Sequence, residues 1–481
     1  MSKKCLIVAI AASLLLCVPQ VTVAQDAKTV ISNAAKAMGA ENLKTIQYSG
    51  TGFNSALGQS PNPNAAWPTF PIKTYSREID LDAVISRVTL VRTQGPTIRG
   101  GGGQPIIGEQ TQNQNITTNS GWNTQLDFWI TPYGFLKGAA ANNATVASRN
   151  MNGKRYNVVS FTMQNKYKVN GYLNDQNMVE KVETSLENPV LGDMPVEVTY
   201  AEYKDFSGLK FPTRMTQKQG GHPFTDLTIT EVKPNATLTA PAAAQGGRGG
   251  AGAPPAPGQA PAIQTTQLAE GVHSVSGTHQ SVIIDFKDHV VVVEGPGNED
   301  RSKIVIGEVK KLYPNKPMRY LINTHHHFDH SGGIRTFAAE GATIITHQMN
   351  KPYYENNAKN PWALAPDSLA TSKKPLKIET MTDKKVLTDG TRTVELHLIK
   401  GNPHNDGLIM VYLPKEKILI QADAFNPPAA NATPPPAGTP PNPFTVNLIE
   451  NIDRLKLDVD KVVGIHGPVS TKDALWKAGG K

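Results

Sequence analysis

The sequence predicts an α+β protein of two domains: a mainly antiparallel, half-barrel-like β-sheet domain, followed by an αβ/βα sandwich. Three observations predict this. Between residues 45 and 232 lie nine runs that alternate apolar with polar residues, divided by turn signals such as Asn174-Asp175 and Ser207-Gly208. Residues 238–263 then shift to Ala, Gly and Pro, as in Pro254-Pro255-Ala256-Pro257-Gly258, and read as a linker because nothing there can bury a core. Beyond it strands and helices interleave, and eleven of the 12 histidines lie there, only His222 preceding, which places the chemistry in the second domain. A chain of 481 residues is long enough for two well-filled cores.

The first segment, 1–24, reads as a cleaved signal peptide. Lys3 and Lys4 precede an apolar run from Cys5 to Val18, and Thr22-Val23-Ala24 supplies small residues for cleavage. This predicts a periplasmic or secreted protein. Leu16 stands where a lipoprotein signal needs a small residue before its cysteine, so lipidation is the lesser alternative. Both cysteines, Cys5 and Cys17, fall inside the leader, so the mature chain has no thiolate to offer a metal. No other run approaches the roughly 18 apolar residues of a membrane span. The net charge of +8 is dispersed rather than striped, which implies neither nucleic acid nor a charged membrane as partner.

The domain 26–235 opens with an amphipathic helix, where Val30, Ile31, Ala34 and Met38 share a face and Gly39 closes it. Strands follow at 45–53, 72–81, 84–91, 156–163, 166–172, 178–184, 195–203, 209–215 and 225–232. The phrase from Val198 to Pro212, together with one helix and this meander, resembles periplasmic lipoprotein-sorting-like domains. The resemblance implies a sheet that cups an apolar ligand; a sheet with no ligand is the alternative. Arg99 and the glycines after it lack the Lys-Ser/Thr of a phosphate loop and read as a flexible loop.

The second domain, 264–481, begins with strands at 271–275, 281–286 and 290–295 and a helix at 300–312. The apolar run Tyr320-Leu321-Ile322 is a buried strand, and a helix at 334–339 and a strand at 343–346 follow it. A helical stretch near 348–357 comes next, then strands at 376–379, 393–398, 408–413 and 418–421. Helices at 445–455 and 471–477 close the chain. A Pro-rich insert, 426–443, leaves the strand at 418–421 and reads as a lid or a surface loop.

The chemistry centres on Thr324-His325-His326-His327-Phe328-Asp329-His330-Ser331-Gly332-Gly333, which leaves the strand end. His325 and His327 alternate and can face one metal, while Asp329 and His330 can turn to another. This ordered His-x-His-x-Asp-His series resembles the signature of the metallo-β-lactamase superfamily, over about 268–480. Three later strand ends supply what such a family would need: His404 in Gly401-Asn402-Pro403-His404, Asp423 after Lys417 to Gln421, and His466 after Val462-Val463-Gly464-Ile465.

The resemblance implies that His325, His327 and His404 hold a first metal, and Asp329, His330 and His466 a second, with Asp423 bridging. It implies zinc, with iron or manganese accepted by the same donors. Two divalent ions roughly 3.5–4 Å apart can share a water and acidify it toward pH 7, so the site would act as a hydrolase through a bridging hydroxide. Asp423 would hold the metals together and Asp329 would orient the nucleophile, on a small-molecule ester, lactone, thioester, amide or phosphoester. Alternatives on the same scaffold are a β-lactamase of the all-histidine type, an iron-dependent oxidoreductase, and an apolar-ligand-binding protein. With no cysteine, lactamase subclasses that place one on the second metal are excluded. Of the remaining groups, His326 is expected to point away from the metals, and a hydrogen bond from His347 or Asp406 to a ligand histidine is the lesser of two readings for each. His273, His279, His289 and His397 are expected to be packed or solvated.

Overall fold

The computed structural model describes residues 26–102, 105–238, 263–428 and 438–481. The signal peptide, most of the linker and the middle of the Pro-rich insert lie outside the described residues.

The first domain is one 11-stranded antiparallel sheet. Its chain runs as a meander, and Thr45–Ser55 pairs with both Thr69–Asp80 and the last strand, His222–Pro234. The nine expected strands are present, several longer at one or both ends, because alternation marks the half-buried part of a strand better than its ends. Two further strands, Glu109–Ile116 and Thr145–Met151, form the sheet's two edges. Their sequences are polar and mostly exposed, so no apolar face announced them.

The expectation of one helix in this domain is corrected to three among the described residues. Ala27–Ala37 is joined by Trp122–Trp129 and Pro132–Ala141. Thr131 caps the last through its side chain, with Pro132 at the first helical position. These helices fill one face of the sheet, with Phe128, Phe135, Leu126 and Ile130 buried against Phe161, Val169 and Tyr200. At 25 cal/mol per Å² each buried aromatic contributes on the order of 2–3 kcal/mol relative to exposure.

The second domain is a pair of sheets of seven and six strands. Its core lies between them, where Val291, Val293, Ile322 and Ile345 meet Leu396, Val411, Leu419 and Val463. Glu299–Leu312 and Ile334–Glu340 cover the outer face of the first sheet. Pro443–Leu455 and Lys472–Ala478 cover the second. The αβ/βα sandwich is thus present.

Strand direction positions the chemistry. Met318–Ile322 runs parallel to Val290–Val293 on one side and Thr343–His347 on the other, so the segment beginning at Asn323 leaves the sheet at its C-terminal end. In the opposite sheet Ile418–Gln421 and Lys461–Gly464 are parallel neighbours, with Gln421 beside Gly464, so Asp423 and His466 emerge together. The two sheets are joined at that end, where Ile409 N donates to Thr324 O at 2.9 Å.

Candidate metal centre

His325, His327 and His404 offer ligand atoms all within 4.8 Å of one another, and so do His325, His330 and Asp423. A third such group is His279, Asp329 and His466. All seven residues expected as ligands therefore converge, and all but His466 are buried. Asp423 sits between the two sets: its Oδ2 is 3.5 Å from His325 Nε2, 3.4 Å from His404 Nε2 and 2.7 Å from His330 Nε2, while its Oδ1 is 3.2 Å from His466 Nε2.

The residues fit divalent metals. His404 Nε2 faces His325 Nε2 at 3.2 Å, and His466 Nε2 faces His330 Nε2 at 3.0 Å. Facing nitrogens of this kind can share at most one proton, yet their separation is close to the edge of a coordination polyhedron built on about 2.0–2.1 Å bonds. His327 Nδ1 and His279 Nε2 are buried without a hydrogen-bond partner among the described residues. A folded interior does not leave such atoms orphaned without cause.

The electrostatics agree. Burial, with the neighbouring imidazoles, holds His325 and His327 well below the ordinary histidine range, so both are neutral donors at neutral pH. His330 goes the other way. Burial pushes it down, but Asp423 and Asp329 outweigh that and raise it. Asp329 and Asp423 are likewise held well below the carboxylate range, against the burial that opposes ionisation, by the histidines around them. Two buried carboxylates here call for positive charge, which an imidazolium supplies in part and metal cations would supply in full.

Local backbone sets these directions. Asp423 has φ of 59° and Glu294 of 71°, both in the left-handed region that costs a side-chain-bearing residue on the order of 1 kcal/mol or more. Glu294 leaves the parallel strand Val290–Val293 and is fully buried. It accepts from Thr324 Oγ1 at 2.5 Å and lies 3.2 Å from His330 Nδ1, which fixes that ring with Nε2 toward Asp423. Gly332 lies where a Cβ would meet Gly297 O at 1.8 Å, so the loop after His330 packs against this turn only without a side chain.

The first domain enters the site. Gly58, at φ of +69°, passes so close to the Phe328 ring that an added Cβ would lie 2.3 Å from it. The two residues after it touch the ligands: Gln59 Nε2 donates to Asp329 Oδ1 at 2.8 Å, and Ser60 O is 2.8 Å from His327 Nε2. With Nε2 so engaged, His327 presents Nδ1 to the metal position. Ser60 Oγ and Asn405 Nδ2 meet His326 at 2.9 and 3.1 Å. His326 does point away from the metals, as expected, but into an interdomain contact, and burial pushes its pKa down to about 3.

Two expectations are corrected. The chemistry does not lie in the second domain alone, since Gln59 and Ser60 support two of its ligands. The segment at Arg99 is not a free loop in its described part: Gly100 N donates to Pro403 O at 2.9 Å, and Arg99 pairs with Asp406. Asp406 and His347 do not hold ligand histidines; Asp406 binds Arg99 and Asn62, and His347 lies near Met349. Glu294 and Thr324 take that part instead. His279 is packed, as expected, and its ligand atom also lies within 4.8 Å of those of Asp329 and His466. Its sequence setting, Thr278-His279-Gln280 in a hairpin loop, carries no spacing signal, because its partners lie some 50 and 190 residues away.

The site forms the floor of a cavity of about 1440 Å³ between the domains. His279, Asp329, Asp423 and His466 line one side of it, and the 11-stranded sheet of the first domain lines the other with Phe70, Ile72, Leu90, Tyr200, Met215 and Leu227. Arg92 also faces it. Arg92 stacks over Phe70 and hydrogen-bonds Gln110 and Asn54, with no carboxylate in ion-pair reach among the described residues. Burial alone lowers it to about 10. No helix among the described residues is long and apolar enough to cross a membrane.

Residues 276–466 match the family model described as metallo-beta-lactamase superfamily. The chain is also similar to 2,4-dinitroanisole O-demethylase subunit alpha of Nocardioides sp. (strain JS1661), at 24% identity over 177 residues, 36% of this chain and 50% of that protein. The chain thus spans about half the length of this curated relative. Among solved structures, the DIM-1 metallo-beta-lactamase is 15% identical, covering 46% of this chain and 97% of its own at a TM-score of 0.36. The FIM-1 metallo-beta-lactamase of Pseudomonas aeruginosa, in a mono-zinc form, is 14% identical, covering 45% and 93% at a TM-score of 0.34.

Proposed function

We propose that this chain, whose residues 276–466 form a domain of the metallo-β-lactamase superfamily, is an exported hydrolase that holds two zinc ions. Its main support is the pairing of two ligand sets around one carboxylate, Asp423, on the wall of a single cavity. His325, His327 and His404 would hold the first ion, and Asp329, His330 and His466 the second. Bound there, the ions supply a hydroxide at neutral pH and a Lewis acid for the scissile group. Export rests on the leader at 1–24.

The chain's own residues do the rest. Glu294 and Thr324 fix the rings of His330 and His325, Thr324 Oγ1 lying 3.0 Å from His325 Nδ1. Gln59 occupies Asp329 Oδ1, so that Oδ2 is the oxygen turned to the histidines. The apolar side chains on the first domain's sheet would take the body of a substrate, and Arg92, desolvated without a countercharge, suits an anionic group on it. The substrate is accordingly a small amphiphilic ester, lactone, thioester, amide or phosphoester.

The test is turnover of an ester, lactone, phosphodiester and β-lactam panel by the zinc-loaded protein. Hydrolysis of one class, abolished by chelation and restored by zinc, is expected. No hydrolysis of any member by a fully loaded protein would contradict the reading, and preferential β-lactam turnover would move it to a lactamase.

A further inference from the structure

We propose that His279 is itself a ligand of the second metal, so that this ion is held by three imidazoles rather than two. The inference rests on the binuclear reading and adds a protein donor to it. His279 comes from the loop between Val272–Val275 and Ser281–Asp285, separate in sequence from the His-x-His-x-Asp-His segment. Its Nε2 lies 3.6 Å from Asp329 Oδ2, and its ring lies 4.5 Å from that of His466 and 5.8 Å from that of His330. His466 Nε2 and His330 Nε2 are themselves 3.5 and 3.4 Å from the same oxygen. Three imidazole nitrogens thus stand at nearly equal distances from one carboxylate oxygen, as donors around one ion do.

The ring is aimed, not merely nearby. Thr278 Oγ1 is 3.2 Å from His279 Nδ1. With the proton on Nδ1 and donated there, Nε2 keeps its lone pair. That nitrogen is buried and has no hydrogen-bond partner among the described residues. The backbone on either side is clamped: Arg301 Nη2 donates to His279 O at 2.9 Å and to Val275 O at 2.7 Å. Gln280 N donates to Ile465 O at 2.8 Å, and Gln280 Nε2 to Gly464 O and Gly467 O at 3.1 and 2.5 Å. The hairpin carrying His279 is therefore stitched to the loop carrying His466. A histidine that only packed would need no such registration.

A consequence concerns the metal. Asp329, His330, His466, Asp423 and His279 together make five nitrogen and oxygen donors, more than the four of a tetrahedral zinc site, and a set that also suits iron or manganese. The first site would have four donors from the chain, His325, His327, His404 and Asp423, one fewer than the second. A substrate oxygen would then be polarised at the first ion.

The experiment uses the full mature chain, labelled with ¹⁵N-histidine and loaded with ¹¹³Cd, comparing wild type with His279→Gln and His279→Ala. Three imidazole nitrogens coupled to the second-site cadmium in wild type, falling to two in both variants, is the expected result. A chelator competition should show the second ion of each variant released about tenfold or more readily, with the first unchanged. Two coupled imidazoles in wild type, with the His279 nitrogen uncoupled, would overturn the proposal even where affinity drops, because a ring that acts only through hydrogen bonds could lower affinity without coupling. Failure of wild type to bind two cadmium ions would instead count against the binuclear reading. Should His279→Ala fold poorly, the coupling of the His279 nitrogen in wild type decides alone.

Discussion

Gln59, in the first domain, donates from Nε2 to Asp329 Oδ1 at 2.8 Å, although the two residues are 270 positions apart. A neutral amide from one domain thus fixes the rotation of a candidate ligand carboxylate in the other. The first domain is part of the candidate metal centre as well as a wall of the cavity.

Gln59→Ala should loosen the second metal by about 10–100-fold in a chelator competition, the usual loss when a hydrogen-bond partner of a ligand is removed. Gln59→Glu should be worse, since it sets a second buried carboxylate against Asp329. Metal affinity equal to wild type in both variants would show that the contact has no role in holding the ion.

Glu294→Gln keeps the shape and the left-handed backbone but turns one acceptor into a donor facing Thr324 and His330. The expected cost is about 1–3 kcal/mol of stability from a buried group left badly paired, together with weaker binding at the second site. Thermal unfolding and metal content measure the two separately.

Removal of the metals should lower the midpoint of thermal unfolding by about 10 °C for each ion lost. Saturation a thousandfold above Kd contributes about 4 kcal/mol, and a domain of this size shifts by about 2–4 °C per kcal/mol. An unchanged midpoint after complete chelation would mean that the buried histidines and carboxylates are stable without a cation.

Arg92→Leu should raise KM for an anionic substrate about tenfold and leave kcat nearly unchanged, because Arg92 lines the cavity without belonging to either ligand set. For a neutral substrate of the same class the change should be small. Equal effects on both would remove Arg92 from recognition.

Much of this centre was legible in the sequence, for a physical reason. The donor chemistry of the His-x-His-x-Asp-His series marked the first segment, and the family resemblance it carries then pointed to the apolar runs that end at Asp423 and His466. His404 was signalled by its loop after a strand-like segment. What was not legible had no local pattern. His279 sits in a hairpin loop, and Gln59 and Ser60 in a Pro- and Gly-rich strap; each acquires its role only from a partner far along the chain. Glu294 could have been suspected, as a lone carboxylate ending the run Val290 to Val293, where a buried charge needs a partner. In the first domain, Trp122–Trp129 and Pro132–Ala141 escaped because the second is apolar on most faces and offers no stripe. Its start was nevertheless marked by Thr131-Pro132, a cap followed by proline.

The central claim is that Asp423 joins two ions into one hydrolytic centre. Elemental analysis of the purified mature protein beside Asp423→Ala, with turnover measured on both, tests it most directly. Two metals per chain in wild type, with a loss of metal and a fall in turnover of a hundredfold or more in the variant (about 3 kcal/mol of barrier), is the predicted result. A single metal that Asp423→Ala leaves in place, with turnover intact, would contradict it.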